Sequence, residues 1–405
     1  MFFKIEYRKK DNLSTLKNMG RLILTPKGLA WFRRGHPWIF RNDLEKIQDA
    51  SPGSIVVLET KKGEFLAQGF YSDRSKIAFR LVSRSQEPVG PNFWKDRVAK
   101  AFRYRQAVVK ATDAYRLIYG ESDGIPSLIV DCYGEHLVFQ TLSQGVENLL
   151  PVFTKILSER FRPSSMILRN DLKVRELEGL PQEKKTILGE CPKKVRLHED
   201  NIQYLADLWN GQKTGAYLDQ RENRILAAGF LHGHILDAFC YQGLFALHAA
   251  HNASRVIGID SSQEAIDHSR ENARLNGFTN LEWRKENVFD FLKTEAERGP
   301  QYDGILLDPP AFAKSKENVG GATRGYKELN LRAIRLLKPG GILVTSSCSY
   351  NLSEAKFLDI LRECAQDAEA KIRIIARRTQ SADHPVLLSF PESFYLKCVF
   401  LEKLE

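Results

Sequence analysis

Apolar positions change their period along the chain, and the change divides it. Over residues 21–90 they come as short runs, RLILT, SIVVLET, EFLAQGFY and IAFRLVS, separated by the turn signals Pro26-Lys27-Gly28, Ser51-Pro52-Gly53 and Lys62-Gly63-Glu64. Short strands at this spacing predict a small β-barrel. Between the first two runs lies RRGHPWIFRND, whose Trp38 and Phe40 have the burial habits of a barrel plug.

Residues 91–205 mix both periods. FWKDRVAKAFRYRQAVVKA has helical spacing and a basic face, and SLIVDCYGEHLVFQTLS reads as two strands around Tyr133-Gly134-Glu135. VENLLPVFTKILSERF is a helix that Pro151 delays or kinks, and SSMILRND is another strand. This is a small α+β middle domain. From 206 to 405 strands and helices alternate. HILDAFC, RVIGID, LEWRKE, YDGILLD and GILVTSS are the strands; FALHAAH, EAIDHSRENARLNG, VFDFLKTEAE, YKELNLRAIRLL and SEAKFLDILRECA are the helices. Alternation of this kind predicts an α/β domain with a largely parallel sheet covered on both faces. Its ligands belong beyond the carboxyl ends of the strands. Residues 1–20 carry no period, and Met19-Gly20 offers a second start that would make 1–18 an extension.

Charge adds a partner. Residues 1–110 hold 23 basic and 10 acidic side chains, so the whole of the chain's net charge of +10 lies in its N-terminal part. A localised positive field suits nucleic acid. Arg33, Arg34 and Arg41 flank the aromatic stretch and stand as phosphate ligands. No apolar run approaches the ~18–20 residues that span a membrane, and the short apolar start is no signal peptide, so a cytoplasmic protein is expected. The six cysteines form no C-x-x-C pair and no zinc spacing, which predicts reduced thiols and no metal.

Candidate chemistry sits just after strands. Asp237 ends the first strand of the C-terminal domain, and Gly243 lets the backbone approach a ligand at the next helix. With one glycine instead of G-x-G-x-x-G, a pyrophosphate cradle is disfavoured. Asp260 ends the second strand, where an acid binds ribose hydroxyls, so a nucleoside cofactor such as S-adenosylmethionine fits. Glu286-Asn287-Val288-Phe289 follows the third strand and suits an adenine edge and face. After the fourth strand, two prolines stiffen the exit of LLDPPAFAKSK and fix Asp308 at the cleft. Exocyclic-amine methyltransferases carry a related stretch with an aromatic directly after the second proline; here Ala311 holds that place and Phe312 follows.

After the fifth strand comes TSSCSYN, which puts Cys348 on the same rim. Carbon 5 of a pyrimidine is a poor nucleophile. A thiolate added at carbon 6 makes it enamine-like, which is covalent catalysis. Lys314 is the candidate cation beside the thiol, and Asp308 is placed for N3 and the 4-amino group. Before the sheet, KTGAYLDQRENR clusters Asp219, Gln220 and Arg221 at a helix start, a pattern equally suited to a capped surface helix with salt bridges.

TGAYLDQRENR, LDAFCYQGLFALHAA, ENARLNG, DPPAFAKSK, RGYKELN and SSCS, in that order, resemble the PUA-domain-containing class I RNA methyltransferases. HPWIFRND resembles their N-terminal PUA domain, YGESDGIPSLIVDCYG and LRNDLKVRELEGL their middle domain, and ADHPVLLSFPESFYLKC their C-terminal segment. The resemblance implies a seven-stranded, mostly parallel Rossmann-like sheet, and methylation of cytosine C5 in 23S rRNA with Cys348 as nucleophile. It implies S-adenosylmethionine contacts at Thr214, Asp219, Gln220, Asp237, Phe239, Gly243, Asp260, Asn287, Val288 and Asp308. RNA falls to Arg33, Arg34, Arg41, Phe312 and Lys314. Gln242 stands where the family often has a small or hydroxyl residue, and no second cysteine follows the fourth strand, leaving Asp308 or a water for the C5 proton. Tyr241, Phe312 or Tyr350 would stack on the base. The alternatives are purine N-methylation, uridine C5 methylation, or an RNA-binding assembly factor without catalysis. A monomer and a homodimer are both compatible with the sequence.

Overall fold

The computed structural model describes residues 16, 18–299, 301–312 and 318–405. Most of the candidate extension, and Lys314, lie outside the described residues.

The N-terminal unit is a curled sheet of β1 (Arg21–Leu24), β2 (Trp38–Phe40), β3 (Leu44–Gln48), β4 (Ile55–Glu59), β5 (Phe65–Tyr71) and β6 (Ile77–Ser83), with α1 (Pro26–Arg33) after β1. The order is β2-β6-β5-β4-β1-β3. Thr25 caps α1 by accepting from Gly28 N, and Pro26 opens it where no N–H is needed. Trp38 and Phe40 do not plug this sheet. Side chains alternate along β2, so Ile39 takes the core and its two aromatic neighbours face outward.

The middle unit holds α2 (Pro91–Val108), β7 (Ala114–Tyr119), β8 (Leu128–Tyr133), β9 (His136–Thr141), α3 (Gln144–Asn148), α4 (Leu150–Phe161), β10 (Ser165–Asn170) and β11 (Glu183–Leu188). Its sheet runs β11-β10-β9-β8-β7. The single helix expected around Pro151 is broken at Leu149, and the proline sits in the first turn of α4. A hairpin of β12 (Val195–Glu199) and β13 (Ile202–Ala206) leads onward.

The C-terminal unit follows: α5 (Arg221–Ala228), β14 (Gly233–Ala238), α6 (Leu244–Ala250), β15 (Ala253–Asp260), α7 (Gln263–Leu275), β16 (Leu281–Lys285), α8 (Val288–Ala296), β17 (Tyr302–Leu307), α9 (Val319–Leu336), β18 (Leu337–Ser347), α10 (Glu354–Asp367), β19 (Ile372–Arg378) and β20 (Lys397–Lys403). Seven strands run in the order β16-β15-β14-β17-β18-β20-β19, and β20 alone is antiparallel to its neighbours. Strands β14, β15, β17 and β18 are apolar on both faces. Leu236, Ile257, Ile305 and Leu343 pack against α8, α9 and α10; Ile235, Val256, Leu306 and Val344 pack against α5 and α6. Strand order reverses between β14 and β17, which opens a crevice at their carboxyl ends.

α5 differs from the surface helix its sequence allowed. Arg221, Asn223 and Arg224 are buried. Arg221 pairs with Asp383 at 3.1 Å, and Arg224 grips Glu199 of β12 with two bonds of 2.6 Å. The stretch before the sheet is thereby clamped to the hairpin and to the C-terminal segment. No described helix is long and apolar enough to cross a membrane.

Candidate functional site

The crevice is bounded by four acids. Asp237, at the end of β14, is buried and accepts from Ala246 N at 3.0 Å, capping α6. The loop between them turns through left-handed residues at Phe239 (φ 66°), Tyr241 (φ 47°) and Gly243 (φ 77°). The glycine is demanded by packing as well as by φ: a Cβ there would stand 2.4 Å from the Trp283 ring. Its freedom is thus used by a protein side chain on one face, where the sequence alone suggested a ligand. Asp260, closing β15, accepts from Tyr241 N at 3.0 Å and Ser262 N at 2.9 Å, so the same carboxylate fixes two loops.

Asp308 follows β17. It accepts from Gln220 Nε2 at 2.9 Å, and the same amide reaches Ser346 Oγ of β18 at 3.1 Å. Gln220 therefore ties the stretch 213–220 across the carboxyl ends of β17 and β18. Asp219 beside it accepts from Lys213 Nζ and from Tyr395 OH at 2.7 Å. Cys348 lies just beyond β18 and is half-buried.

The structure gives the remaining candidates unequal places. Asn287 spends its side-chain oxygen on the N-terminus of α8, yet Glu286 N donates to Asp260 O at 3.1 Å, which holds this turn beside the second acid. Val288 is in the core, and Phe239 packs against its edge. Thr214 donates to Asp131 Oδ2 at 2.6 Å and bonds Tyr133 OH, which directs its hydroxyl into the middle unit. Gln242 is buried, donates to Gly215 O, and so joins the first loop to the 213–220 stretch. Phe312 sits between Phe289 and Tyr326, with ring centroids 6.1 and 4.9 Å away. Of the three aromatics suited to stacking on a base, Tyr241 meets Tyr217 in a T-shaped contact and its hydroxyl accepts from Gln212 N, whereas Tyr350 is the exposed one. Three residues that the sequence did not single out are here: Lys213, Tyr395 and Lys397. The last carried a faint signal, a lone lysine inside the apolar run FYLKCVFL.

Electrostatics identify the kind of ligand. Burial pushes the Asp237 carboxyl up to about 8, with the charges of Asp308 and Asp260 adding to the effect against one hydrogen bond from Ala246 N. Burial and the Asp219 charge push Asp308 up to about 6. Burial would raise Asp219 too, but Lys213 and His384 hold it well below the usual carboxylate range. For these two acids the nearby cations, Arg224 for Asp237 and Lys213 with Arg224 for Asp308, do not offset the cost of burial. Buried acceptors Asp219 Oδ1 and Gln242 Oε1 have no hydrogen-bond partner among the described residues. A ligand carrying positive charge and donors fits, and S-adenosylmethionine carries a sulfonium and an ammonium. Because a cation favours the ionised acids, cofactor affinity should fall as pH drops from 8 to 6, by at most about tenfold per unit. Calorimetric titration across that range checks this, and a flat profile contradicts it.

The N-terminal unit carries its own recess of about 500 Å³, lined by Lys27, Phe40, Arg41, Arg74 and Lys76. Arg41 donates to the Ser72 and Ser75 carbonyls and shapes the wall, while Arg33 at the end of α1 and Arg34 just after it are exposed.

A seven-stranded sheet with one antiparallel strand, and acids at the carboxyl ends around its switch point, define a class I methyltransferase. The chain matches the PUA-like domain family over residues 22–84 and a methyltransferase domain family over 232–387. It is 40% identical over 375 residues to the ribosomal RNA large subunit methyltransferase I of Photobacterium profundum, covering 90% of this chain and 94% of that one. The protein of the same name from Aeromonas hydrophila is 39% identical over 374 residues, with the same coverage. The chain belongs to the ribosomal RNA large subunit methyltransferase I family. A solved putative methyltransferase complexed with SAH shares the fold, with a TM-score of 0.81, 21% identity and coverage of 94% of this chain and 99% of that one. A putative SAM-dependent methyltransferase from Streptococcus mutans shares it with a TM-score of 0.79 at 20% identity, over the same fractions.

Proposed function

We propose that the protein methylates carbon 5 of a cytosine in 23S ribosomal RNA through a covalent adduct of Cys348. S-adenosylmethionine is the cofactor and, when bound, supplies an electrophilic methyl group. The observation that carries the reading is that Asp308 and Cys348 both lie just past the carboxyl ends of two neighbouring parallel strands, β17 and β18, whose register runs to Leu307 opposite Thr345. Cys348 Sγ bonds to carbon 6 of the ring, and the displaced electron pair makes carbon 5 nucleophilic. Asp308, whose carboxyl burial raises to about 6, donates from its protonated fraction to N3 as electron density arrives there. Carbon 5 takes the methyl group and then loses its proton to a water, or to the Asp308 carboxylate left once its own proton has passed to N3, and N3 releases that proton as the ring recovers. The S–C6 bond breaks, and the pair returns to sulfur.

Cys348 supports this reading over N-methylation, because transfer to an exocyclic amine needs no thiol nucleophile. Nucleoside analysis of large-subunit rRNA after methyl transfer should show 5-methylcytidine. 5-Methyluridine or an N-methylated purine as the sole product would overturn it.

The N-terminal sheet supplies the positive surface for RNA in a division of residues 1–20, 21–90, 91–205 and 206–405. The recess around Lys27 and Lys76 offers cations to the phosphate backbone, Lys27 from a loose 3.6 Å pair with Asp43 in the same recess. The double substitution Lys27→Ala, Lys76→Ala should weaken binding uniformly across RNA sequences and reduce the salt slope by about two. Filter binding at several salt concentrations checks this; an unchanged slope would mean that the recess does not meet phosphate.

A further inference from the structure

Lys397 opens β20 opposite Ser347, one residue before Cys348. It is 2% exposed. Its Nζ donates to Ser349 O at 2.7 Å and to Tyr395 O at 2.9 Å, so the amine lies beneath the loop that carries the thiol. No acid pairs with it among the described residues. Glu354, whose charge it feels, is bound instead to Arg377 at 2.7 Å. A buried amine without a carboxylate is costly in its charged form unless another anion appears nearby. The anion available is sulfur. Beside Lys397 lies a recess of about 410 Å³, lined also by Tyr350, Glu354, Pro391 and Phe394.

We propose that Lys397 is the counter-ion of the Cys348 thiolate, taking the thiol proton as sulfur attacks and returning it on release. The balance closes within the pair. The S–H bond breaks and its electron pair stays on sulfur; an N–H bond forms on the neutral amine. When the S–C6 bond breaks, the thiolate recovers that proton. The proposal rests on the covalent reading above.

The surroundings are consistent with such a couple. Burial lowers Lys397 to about 8, and the Cys348 charge pulls it back up. Burial and Asp308 raise Cys348 to about 11, with Lys213 opposing and Asp219 adding to the rise. Near pH 7 the thiol is therefore protonated while most of the amine still carries its charge, and the neutral amine able to take the thiol proton grows as pH rises toward 8. Cys348 is faced by Asp308, Asp219, Lys213, Tyr217 and Tyr326; Lys397 is faced by Cys348, Tyr350, Glu354 and Tyr395. The two acids oppose ionisation of the thiol, and a cation bound beside them removes that opposition.

The test is the pH dependence of Cys348 alkylation by iodoacetamide in the full chain. It is followed by peptide mass, with Cys348→Ala marking the signal and S-adenosylhomocysteine and S-adenosylmethionine compared as additives. Lys397→Met should shift the profile upward by a unit or more, slowing alkylation at neutral pH by about tenfold. A profile that coincides with wild type overturns the proposal. If Lys397→Met does not fold, Lys397→Arg carries the test: a permanently charged guanidinium should lower the thiol's titration and speed alkylation at neutral pH. No change in that variant overturns it equally. Methyl transfer retained by Cys348→Ala would instead remove the covalent reading, whatever the alkylation profile, so the two failures are told apart.

Discussion

Replacing Cys348 by alanine is expected to abolish methyl transfer, a loss of at least about 10³-fold, while S-adenosylmethionine affinity stays within about twofold. The separation follows from placement. The acids proposed to meet the cofactor stand at or just past the ends of β14, β15 and β17, whereas the thiol lies past β18 and takes part in none of the hydrogen bonds that shape the 213–220 stretch. Removing it deletes the attacking atom and leaves the pocket's frame in place. A parallel loss of cofactor binding would mean that Cys348 shapes the crevice; retained transfer would mean that no sulfur adduct is needed. Calorimetry and a radiolabelled methyl assay on the same preparations separate these outcomes.

The second large effect concerns the clamp behind the site. Glu199 is 1% exposed and holds Arg224 with two bonds of 2.6 Å and His248 Nε2 at 3.0 Å. Glu199→Ala strands a buried guanidinium, which costs about 3–5 kcal/mol. Arg224 also donates to Tyr217 O, so the loss loosens the stretch carrying Asp219 and Gln220. Thermal unfolding should show a clear destabilisation, and cofactor affinity should fall with it; an unshifted transition would contradict the clamp. The same group sets a pH limit. Burial pushes Glu199 up, but Arg224 and His248 hold it well below its ordinary 4.5. A depressed carboxylate contributes fully above the unfolded value and loses its contribution as pH falls below it, so the clamp weakens only in acid.

The C-terminal domain was readable because its strands are apolar on both faces and each ends on a residue that cannot continue a ladder unremarked. Asp237, Asp260, Asp308 and Cys348 could be placed on one rim from that alternation alone. The N-terminal sheet was less readable. β2 has three residues, too few for alternation to declare itself, so Trp38 and Phe40 were assigned inward when Ile39 fills the core. Their outward faces serve a tertiary purpose with no local signal: Trp38 meets Phe390 edge-on at 4.7 Å and donates to Glu121 Oε1 at 2.7 Å. Distance in sequence hid the rest. Lys213 reaches Asp219 within one stretch, but Lys397 comes to the site from the start of β20 and Tyr395 from the segment just before it, and the antiparallel pairing of β20 with β18 is announced by no periodicity. Arg224 and Glu199 are likewise ordinary surface charges until the hairpin folds over α5.

The most direct measurement of the central claim is trapping. Large-subunit rRNA transcribed with 5-fluorocytidine in place of cytidine blocks loss of the carbon 5 substituent after methyl transfer. Incubated with the protein and S-adenosylmethionine, it should give a covalent protein–RNA species that survives denaturation. That species should map by mass to the peptide containing Cys348 and be absent from Cys348→Ala. Absence of any such species, from a preparation that methylates unmodified rRNA, would contradict the covalent mechanism.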